Sequence, residues 1–163
     1  MAYRTGFIAI VGRPNVGKST LLNQILGQKI SITSNKPQTT RNKILGIKHL
    51  PEGQMIFLDT PGIPSTDRAT SKLSHRMVQA ACNAIHDVDL ILAVIEPRLT
   101  PEDQQLFNLL SKEKTPKILV INKIDLVAQT ELIPILNGLN THEGIRYGFS
   151  DVVPISAKTL ENT

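Results

Sequence analysis

One short segment near the amino terminus constrains the fold more than any other part of this 163-residue chain. It follows an apolar run over residues 7–11 and reads Gly12, Arg13, Pro14, Asn15, Val16, Gly17, Lys18, Ser19 and Thr20. The pattern G-x-x-x-x-G-K-S predicts a loop between a buried strand and a helix, whose backbone N–H groups surround the phosphates of a nucleotide. Lys18 would place its ammonium on the β and γ oxygens, and Ser19 would offer a hydroxyl to Mg²⁺.

A second motif follows the apolar run over residues 117–121 and reads Asn122, Lys123, Ile124 and Asp125. The carboxylate of Asp125 is suited to accept hydrogen bonds from both N1–H and the exocyclic amine of guanine. A site built on such a hydrogen bond rejects the wrong base by about 10⁴–10⁵. Asn122 is expected to bridge to the base or to the phosphate loop, and the stem of Lys123 to cover a ring face. Together the two motifs predict a guanine-nucleotide site at the carboxyl edge of an α/β sheet.

A third apolar run ends in Asp59, Thr60, Pro61 and Gly62. We expect Asp59 to hold a water bound to Mg²⁺, because Mg²⁺ keeps several waters and few protein ligands. Gly62 lets its backbone N–H approach the γ-phosphate without obstruction by a side chain. Loss of that phosphate would release the segment, so residues 60–72 are predicted to form a switch.

In chain order the three motifs resemble the G1, G3 and G4 boxes of small GTPases related to translation factors. Ser156, Ala157 and Lys158 are similar to the fifth box, where a backbone N–H reads the guanine carbonyl. The segment Gln-Thr-Thr-Arg at 38–41 lies where the second box contributes a threonine. The wording of residues 12–23, 29–34 and 37–41 resembles the Era family of these GTPases. The resemblance covers essentially the whole chain.

The resemblance also implies catalytic and metal-binding roles. Thr40 is expected to close on Mg²⁺ and the γ-phosphate; Thr39 is the alternative, and either threonine could instead simply open the following strand. Many GTPases carry a glutamine after the D-x-x-G motif to orient the attacking water, but this chain has Ile63, which implies slow hydrolysis. An asparagine at the position of Asn15 helps related enzymes to hold K⁺. The implied catalytic residues are Lys18, Thr40, Gly62 and Asn15, and the implied metal ligands are Ser19, Thr40 and, through water, Asp59.

Composition and charge further limit the kind of protein this chain can be and the partners it can have. The apolar fraction of 40% is ordinary for a water-soluble domain, and a single cysteine excludes an internal disulfide. The first 51 residues carry eight Lys or Arg and no Asp or Glu. Five of these lie along the predicted first switch and the strand after it, namely Lys29, Lys36, Arg41, Lys43 and Lys48. They indicate either an anionic partner such as ribosomal RNA or simply a solvated strand face.

The apolar runs alternate with helical patterns, which predicts an α/β fold of the P-loop NTPase type with helices on both faces of the sheet. Six strands are expected near residues 6–12, 43–50, 54–59, 88–95, 117–122 and 152–156. Helices are expected near 17–27, 70–86, 101–113 and 129–140. The short turn at 51–53 permits only an antiparallel pair of strands, so strand 2 should run antiparallel to the otherwise parallel sheet.

Residues 1–163 are expected to be one GTP-binding domain, truncated before its final helix and without a second domain. The resemblance implies that the full-length protein binds 16S rRNA and the 30S subunit, mainly through a KH domain that follows this domain. It further implies a monomer in the cytoplasm that associates peripherally with the inner membrane. Two alternatives stay open: a related GTPase that acts in 50S assembly or tRNA modification, and a P-loop nucleotide kinase or ATPase.

Overall fold

The computed structural model describes residues 3–28, 44–59, 85–138 and 147–163. The strand that precedes the phosphate loop, β1 (Arg4–Val11), shows how the sheet is buried. Because successive side chains of a strand point to opposite faces, Ile8 and Ile10 pack into one apolar cluster and Ala9 and Val11 into another. The sheet is therefore covered on both faces, as parallel sheets usually are.

The described residues form one six-stranded sheet in the order β2-β3-β1-β4-β5-β6. The remaining strands are β2 (Ile44–Leu50), β3 (Gly53–Asp59), β4 (Leu90–Ile95), β5 (Lys117–Ile121) and β6 (Asp151–Pro154). β2 pairs antiparallel with β3, and every other pair of neighbours is parallel. The topology expected from the short turn at 51–53 is confirmed.

Three α-helices are described, and they lie on different faces of the sheet. They are α1 (Lys18–Leu26), α2 (Pro101–Leu110) and α3 (Gln129–Gly138), with a short 3₁₀ helix at Ile124–Leu126. α1 buries Leu21, Leu22 and Leu26 in the cluster that contains Ile8 and Ile10. α2 buries Leu106, Phe107 and Leu110 in the opposite cluster, where α3 also packs. Each such side chain contributes roughly 1.5–3 kcal/mol by leaving water.

The expected elements are found, with shifts of a few residues at their ends. β1 begins two residues earlier than expected, at Arg4, and β6 ends two residues earlier, at Pro154. α2 ends at Leu110 rather than near 113. Of the helix expected at 70–86, only residues 85–86 are described, and these are helical. Within the described part of the chain, no helix combines the length and apolar character needed to cross a membrane.

Candidate functional site

The phosphate loop follows β1 at the carboxyl edge of the sheet, and the two glycines of the loop lie where a side chain would clash with neighbouring atoms. Gly12 and Gly17 adopt φ values of +152° and +97°. A Cβ on Gly12 would lie 2.3 Å from the carbonyl oxygen of Val94, and one on Gly17 would lie 2.2 Å from Nδ2 of Asn122. Any larger residue would push the loop away from β4 or from the segment that follows β5. The predicted backbone role of both glycines is supported.

Lys18 begins α1, and its side chain folds back over the loop. Its ammonium donates to the carbonyl oxygens of Gly12 and Arg13, at 2.8 and 2.7 Å. The first turn of α1 carries no acidic residue, so the positive end of the helix adds to the charge of this ammonium. Ser19 and Thr20 lie half-buried in the same turn. The arrangement is suited to hold a polyphosphate against backbone N–H groups.

The second motif lies beside the loop, and its asparagine joins three segments of the chain. Asn122 is 2% exposed and follows β5 directly. Its Nδ2 donates to the carbonyl of Val16 at 2.8 Å, and its Oδ1 accepts from the backbone N–H of Ala157 at 3.0 Å. This contact with Val16 is the bridge to the phosphate loop that the sequence suggested, and a contact of Asn122 with the base stays a prediction.

Asp125 lies in the short 3₁₀ helix and is held by the predicted fifth box. Its Oδ1 accepts a hydrogen bond of 2.6 Å from the hydroxyl of Ser156, which is fully buried. Asp125 itself is exposed, as is Lys158. A carboxylate fixed on one side by a buried hydroxyl and open on the other is suited to accept from the N–H groups of a base. Ala157 is buried, and its N–H is already used by Asn122.

Lys123 connects the two motifs through its side chain. It adopts a positive φ of 65°, and its ammonium donates to the carbonyl oxygen of Asn15 at 2.7 Å. The same ammonium contacts a carboxylate oxygen of Glu96, the residue after β4. The side chain of Arg13 is bound by protein carboxylates as well: its Nε donates to Asp103 at 2.8 Å.

Sequence reasoning missed the roles of Glu96 and Asp103. The sequence does contain an indication for Glu96, because it is a charged residue directly after a buried strand, at the edge where ligands bind. Asp103 lies in the first turn of its own helix, where a carboxylate ordinarily interacts with the helix start. Its contact with Arg13 joins residues 90 positions apart, which no local pattern indicates.

Part of the predicted site falls outside the described residues. This applies to Thr39, Thr40, Thr60, Pro61, Gly62 and Ile63, and to the side chain of Asp59. The backbone of Asp59 ends β3 and pairs with Ile10, two residues before the phosphate loop. Pro14, Asn15 and Val16 complete the loop, the first two exposed and the third fully buried.

The residues fit the ligands that the motifs imply. Ser19 in the first turn of α1 and the backbone of Asp59 at the end of β3 lie at the same edge of the sheet. Both residue types carry oxygen ligands of the kind that Mg²⁺ prefers. The close approach of Gly12 and Gly17 to their neighbours fixes a loop whose curvature suits a phosphate chain. The buried Asn122 and Ser156 then place Asp125 at one end of that loop.

Fold and site together define a P-loop G domain. The chain belongs to the family described as 50S ribosome-binding GTPase, whose sequence profile matches residues 7–123. Its sequence is 49% identical over 163 residues to GTPase Era of Geotalea daltonii, an alignment that covers 99% of this chain and 52% of that protein. The Era resemblance noted from the motifs is confirmed, and the chain spans about half the length of the curated relatives it matches.

Two solved structures extend the likeness to three dimensions. One is Era in complex with MgGDPNP and nucleotides 1506–1542 of 16S ribosomal RNA, with a TM-score of 0.81 and 40% identity. The other is a variant of Aquifex aeolicus Era bound to GDP and AlF₄⁻, with a TM-score of 0.80 and 41% identity. Each alignment covers 98% of this chain and 53% of the solved chain.

Proposed function

We propose that this chain binds GTP and GDP with Mg²⁺ and hydrolyses GTP to GDP and phosphate. The observation that carries the proposal is the frame in which Asn122 holds both the phosphate loop and Ala157 while Ser156 holds Asp125. This frame joins the segment that carries Asp125 to the phosphate loop, which supports a ligand that has both a base and a phosphate chain. The Era structures with MgGDPNP and with GDP and AlF₄⁻ support the same ligand class.

The residues of the chain act by binding and by stabilising charge. Lys18 and the loop N–H groups bind the phosphate oxygens, and Asp125 accepts from the base. In hydrolysis, water attacks the γ-phosphorus and the bond to the β–γ bridging oxygen breaks, so negative charge moves onto that oxygen. Mg²⁺, when bound by Ser19 and through water by Asp59, would neutralise part of this charge. Thr40 and Gly62 are proposed to close on the γ-phosphate.

We expect slow intrinsic turnover, because Ile63 cannot donate to or accept from the attacking water. K⁺ beside Asn15 is proposed as a further cofactor. Asn15 lies exposed at the turn of the phosphate loop, with a φ of 66°. Hydrolysis that is faster in K⁺ than in Na⁺ at equal ionic strength would support this role, and equal rates would contradict it.

The proposed cellular task is a switch in assembly of the small ribosomal subunit and in processing of 16S rRNA. The Era structure with a segment of 16S rRNA supports this context. We propose that the longer protein contacts the RNA and the 30S particle mainly through a KH domain after this domain, acts as a monomer in the cytoplasm, and associates peripherally with the inner membrane.

A second candidate keeps the GTPase chemistry but changes the particle. The family description names the 50S ribosome, which favours a task in assembly of the large subunit; tRNA modification is a further option within the same class. Binding of the full-length protein to purified 30S and 50S particles, with GTP bound, decides between the two subunits. Preferential binding to 50S would replace the small-subunit assignment.

The nucleotide itself is tested by titrating Mg²⁺-GDP and Mg²⁺-ADP against the chain in a calorimeter. We expect GDP to bind more tightly by several orders of magnitude, because adenine does not offer Asp125 the two N–H donors that guanine offers. Equal affinities would contradict the proposal and favour a nucleotide kinase or an ATPase. In Asp125→Asn the amide turns one acceptor into a donor, so preference should move from guanine to xanthine nucleotides. Asp151→Asn, an exposed change on β6, is the matched control and should keep the preference for GDP.

A further inference from the structure

A carboxylate between the two halves of the site has no part in the motifs. Glu96 follows β4 directly, with its side chain 32% exposed. One carboxylate oxygen contacts the ammonium of Lys123, and the other lies 3.8 Å from Nη2 of Arg13. Glu96 therefore faces one cation from the base-reading motif and another from the phosphate loop.

Both cations are already tied to other groups, which limits where they can move. Asp103 is fully buried, and its carboxylate accepts a hydrogen bond of 2.8 Å from Nε of Arg13. The Nη2 atom of Arg13 is buried without a hydrogen-bond partner among the described residues, and a carboxylate oxygen of Glu96 lies 3.8 Å from it. The ammonium of Lys123 donates to the carbonyl of Asn15 as well as contacting Glu96.

We propose that Glu96 is a positioning residue for the nucleotide. By attracting the ammonium of Lys123, it keeps that ammonium on the phosphate loop and so fixes the direction of the lysine stem, which is suited to cover a face of the base. Its contact with Lys123 thereby couples the base-reading motif to the phosphate loop. The inference rests on the proposed function, since it concerns how the same site retains a guanine nucleotide.

The expected consequence is kinetic. In this proposal the carboxylate acts through Lys123 rather than on the nucleotide itself, so its loss should leave the association rate nearly unchanged and act on dissociation. Glu96 and Lys123 are each about one-third exposed, which screens their attraction. We therefore expect Glu96→Gln to raise the rate of GDP dissociation by about fivefold, and Glu96→Asp, which keeps the charge, to raise it less.

The experiment measures release of a fluorescent GDP analogue, displaced by excess GDP in Mg²⁺, from the wild-type chain and from Glu96→Gln, Lys123→Met and the double variant. Glu131→Gln is the matched control, because it removes an exposed carboxylate of α3 that pairs with Arg98 at 3.7 Å. We expect that control to match the wild type. If Glu96 acts through Lys123, adding Glu96→Gln to Lys123→Met should change the rate less than about twofold.

Each outcome decides the proposal. A faster release in Glu96→Gln that disappears in the Lys123→Met background supports it. An unchanged or slower release in Glu96→Gln overturns it, and so does an equal effect in both backgrounds, which would mean that Glu96 acts through general stability instead. If the wild-type chain does not retain GDP at all, the proposed function fails and this inference fails with it.

Discussion

The side-chain amide of Asn122 connects two separate segments of the site. One side chain satisfies a donor of the fifth box, Ala157 N, and an acceptor of the phosphate loop, Val16 O. Asparagine suits this position because it offers a donor and an acceptor from one planar group, whereas aspartate would face the carbonyl of Val16 with a second oxygen. The amide also fills the space that a side chain at Gly17 would need. The amide of Asn122 therefore leaves no room for a side chain at position 17.

Leu160 adopts a backbone conformation that residues with a side chain rarely take. It adopts a φ of 67° with its side chain largely exposed, four residues after Ser156. A Cβ in this left-handed region costs about 1–2 kcal/mol, a cost that glycine avoids. We predict that Leu160→Gly has a higher free energy of unfolding than Leu160→Ala by about 1 kcal/mol. Urea denaturation of both variants measures the difference.

Leu160→Ala is itself the control for loss of the exposed side chain, since it removes most of that side chain and keeps the Cβ. If the glycine variant is the less stable of the two, the left-handed conformation of Leu160 is not a source of strain. The backbone of this segment is otherwise held by a bridge between Ser156 and Glu161 and by a hydrogen bond from Asn162 to the carbonyl of Pro154.

Single residues show where sequence reasoning succeeds and where it stops. The need for glycine at positions 12 and 17 was predictable because it follows from backbone geometry within one short segment, whereas the contact of Lys18 with phosphate stays a prediction. The pairing of Arg13 with Asp103 was not, because it depends on how α2 is set against the loop. The roles proposed for Thr40 and Gly62 stay predictions, since both lie outside the described residues.

At the scale of elements, the start of α2 combines two functions in one carboxylate. Asp103 accepts from the backbone N–H and the hydroxyl of Thr100, both at 2.9 Å, which completes a capping box. It also binds Arg13 of the phosphate loop. The pKa of the neighbouring Glu102 carboxyl lies below its ordinary value, first because of a backbone hydrogen bond and then because of one from Thr100. The helix start therefore also orders the loop.

We predict that Asp103→Ala lowers the free energy of unfolding by about 2–4 kcal/mol, because it removes the cap and leaves the guanidinium of Arg13 without its nearest carboxylate. Chemical denaturation measures this loss. Gln105→Ala, an exposed change on the same helix, is the control and should stay within about 0.5 kcal/mol of the wild type. A loss of that small size in Asp103→Ala would show that the buried carboxylate stabilises neither the helix nor the loop.

Element boundaries were predictable only to within a few residues, and the structure gives the reasons. The helical pattern continues to residue 113, but the N–H groups of Lys112 and Glu113 donate to carbonyls three residues back, so the last turn of α2 tightens out of the α form. β1 extends back to Arg4 because that residue pairs with Gly53 of β3. Such pairing depends on the neighbouring strand rather than on the polar sequence at residues 3–5.

At the scale of the whole molecule, the site exists because distant segments end at one edge of the sheet. Gly12, Asp59, Glu96 and Asn122 each end or follow a strand of the central parallel group. The two apolar clusters hold these strands in register from both faces, with hardly any exposure at residues such as Phe57 and Phe107. The antiparallel direction of strand 2 was predicted from the short turn at 51–53, whereas the order of the strands and the side-chain network across their ends required the folded structure.

A buried lysine ammonium lies at the edge of the sheet opposite the site, and its titration should change the free energy of unfolding. Lys117 begins β5 and is only 4% exposed, and its ammonium donates to the carbonyls of Glu113, at 2.9 Å, and Gly148, at 3.5 Å. Burial lowers the pKa of this ammonium, an effect that the nearby carboxylate of Glu113 opposes. Between the lowered pKa and the ordinary lysine value of about 10.4, the unfolded chain binds more protons than the folded one.

The free energy of unfolding contributed by this group should therefore rise with pH over that interval and stay constant well below it. We predict that the wild type gains stability relative to Lys117→Met as pH approaches about 10.4, because the methionine variant lacks the buried proton site. Urea denaturation at a series of pH values measures the difference. Lys112→Met, which removes an exposed ammonium near the same end of the molecule, is the matched control. If the relative stability of Lys117→Met changes with pH no more than that of Lys112→Met, or falls, then the interior around Lys117 does not disfavour its charge.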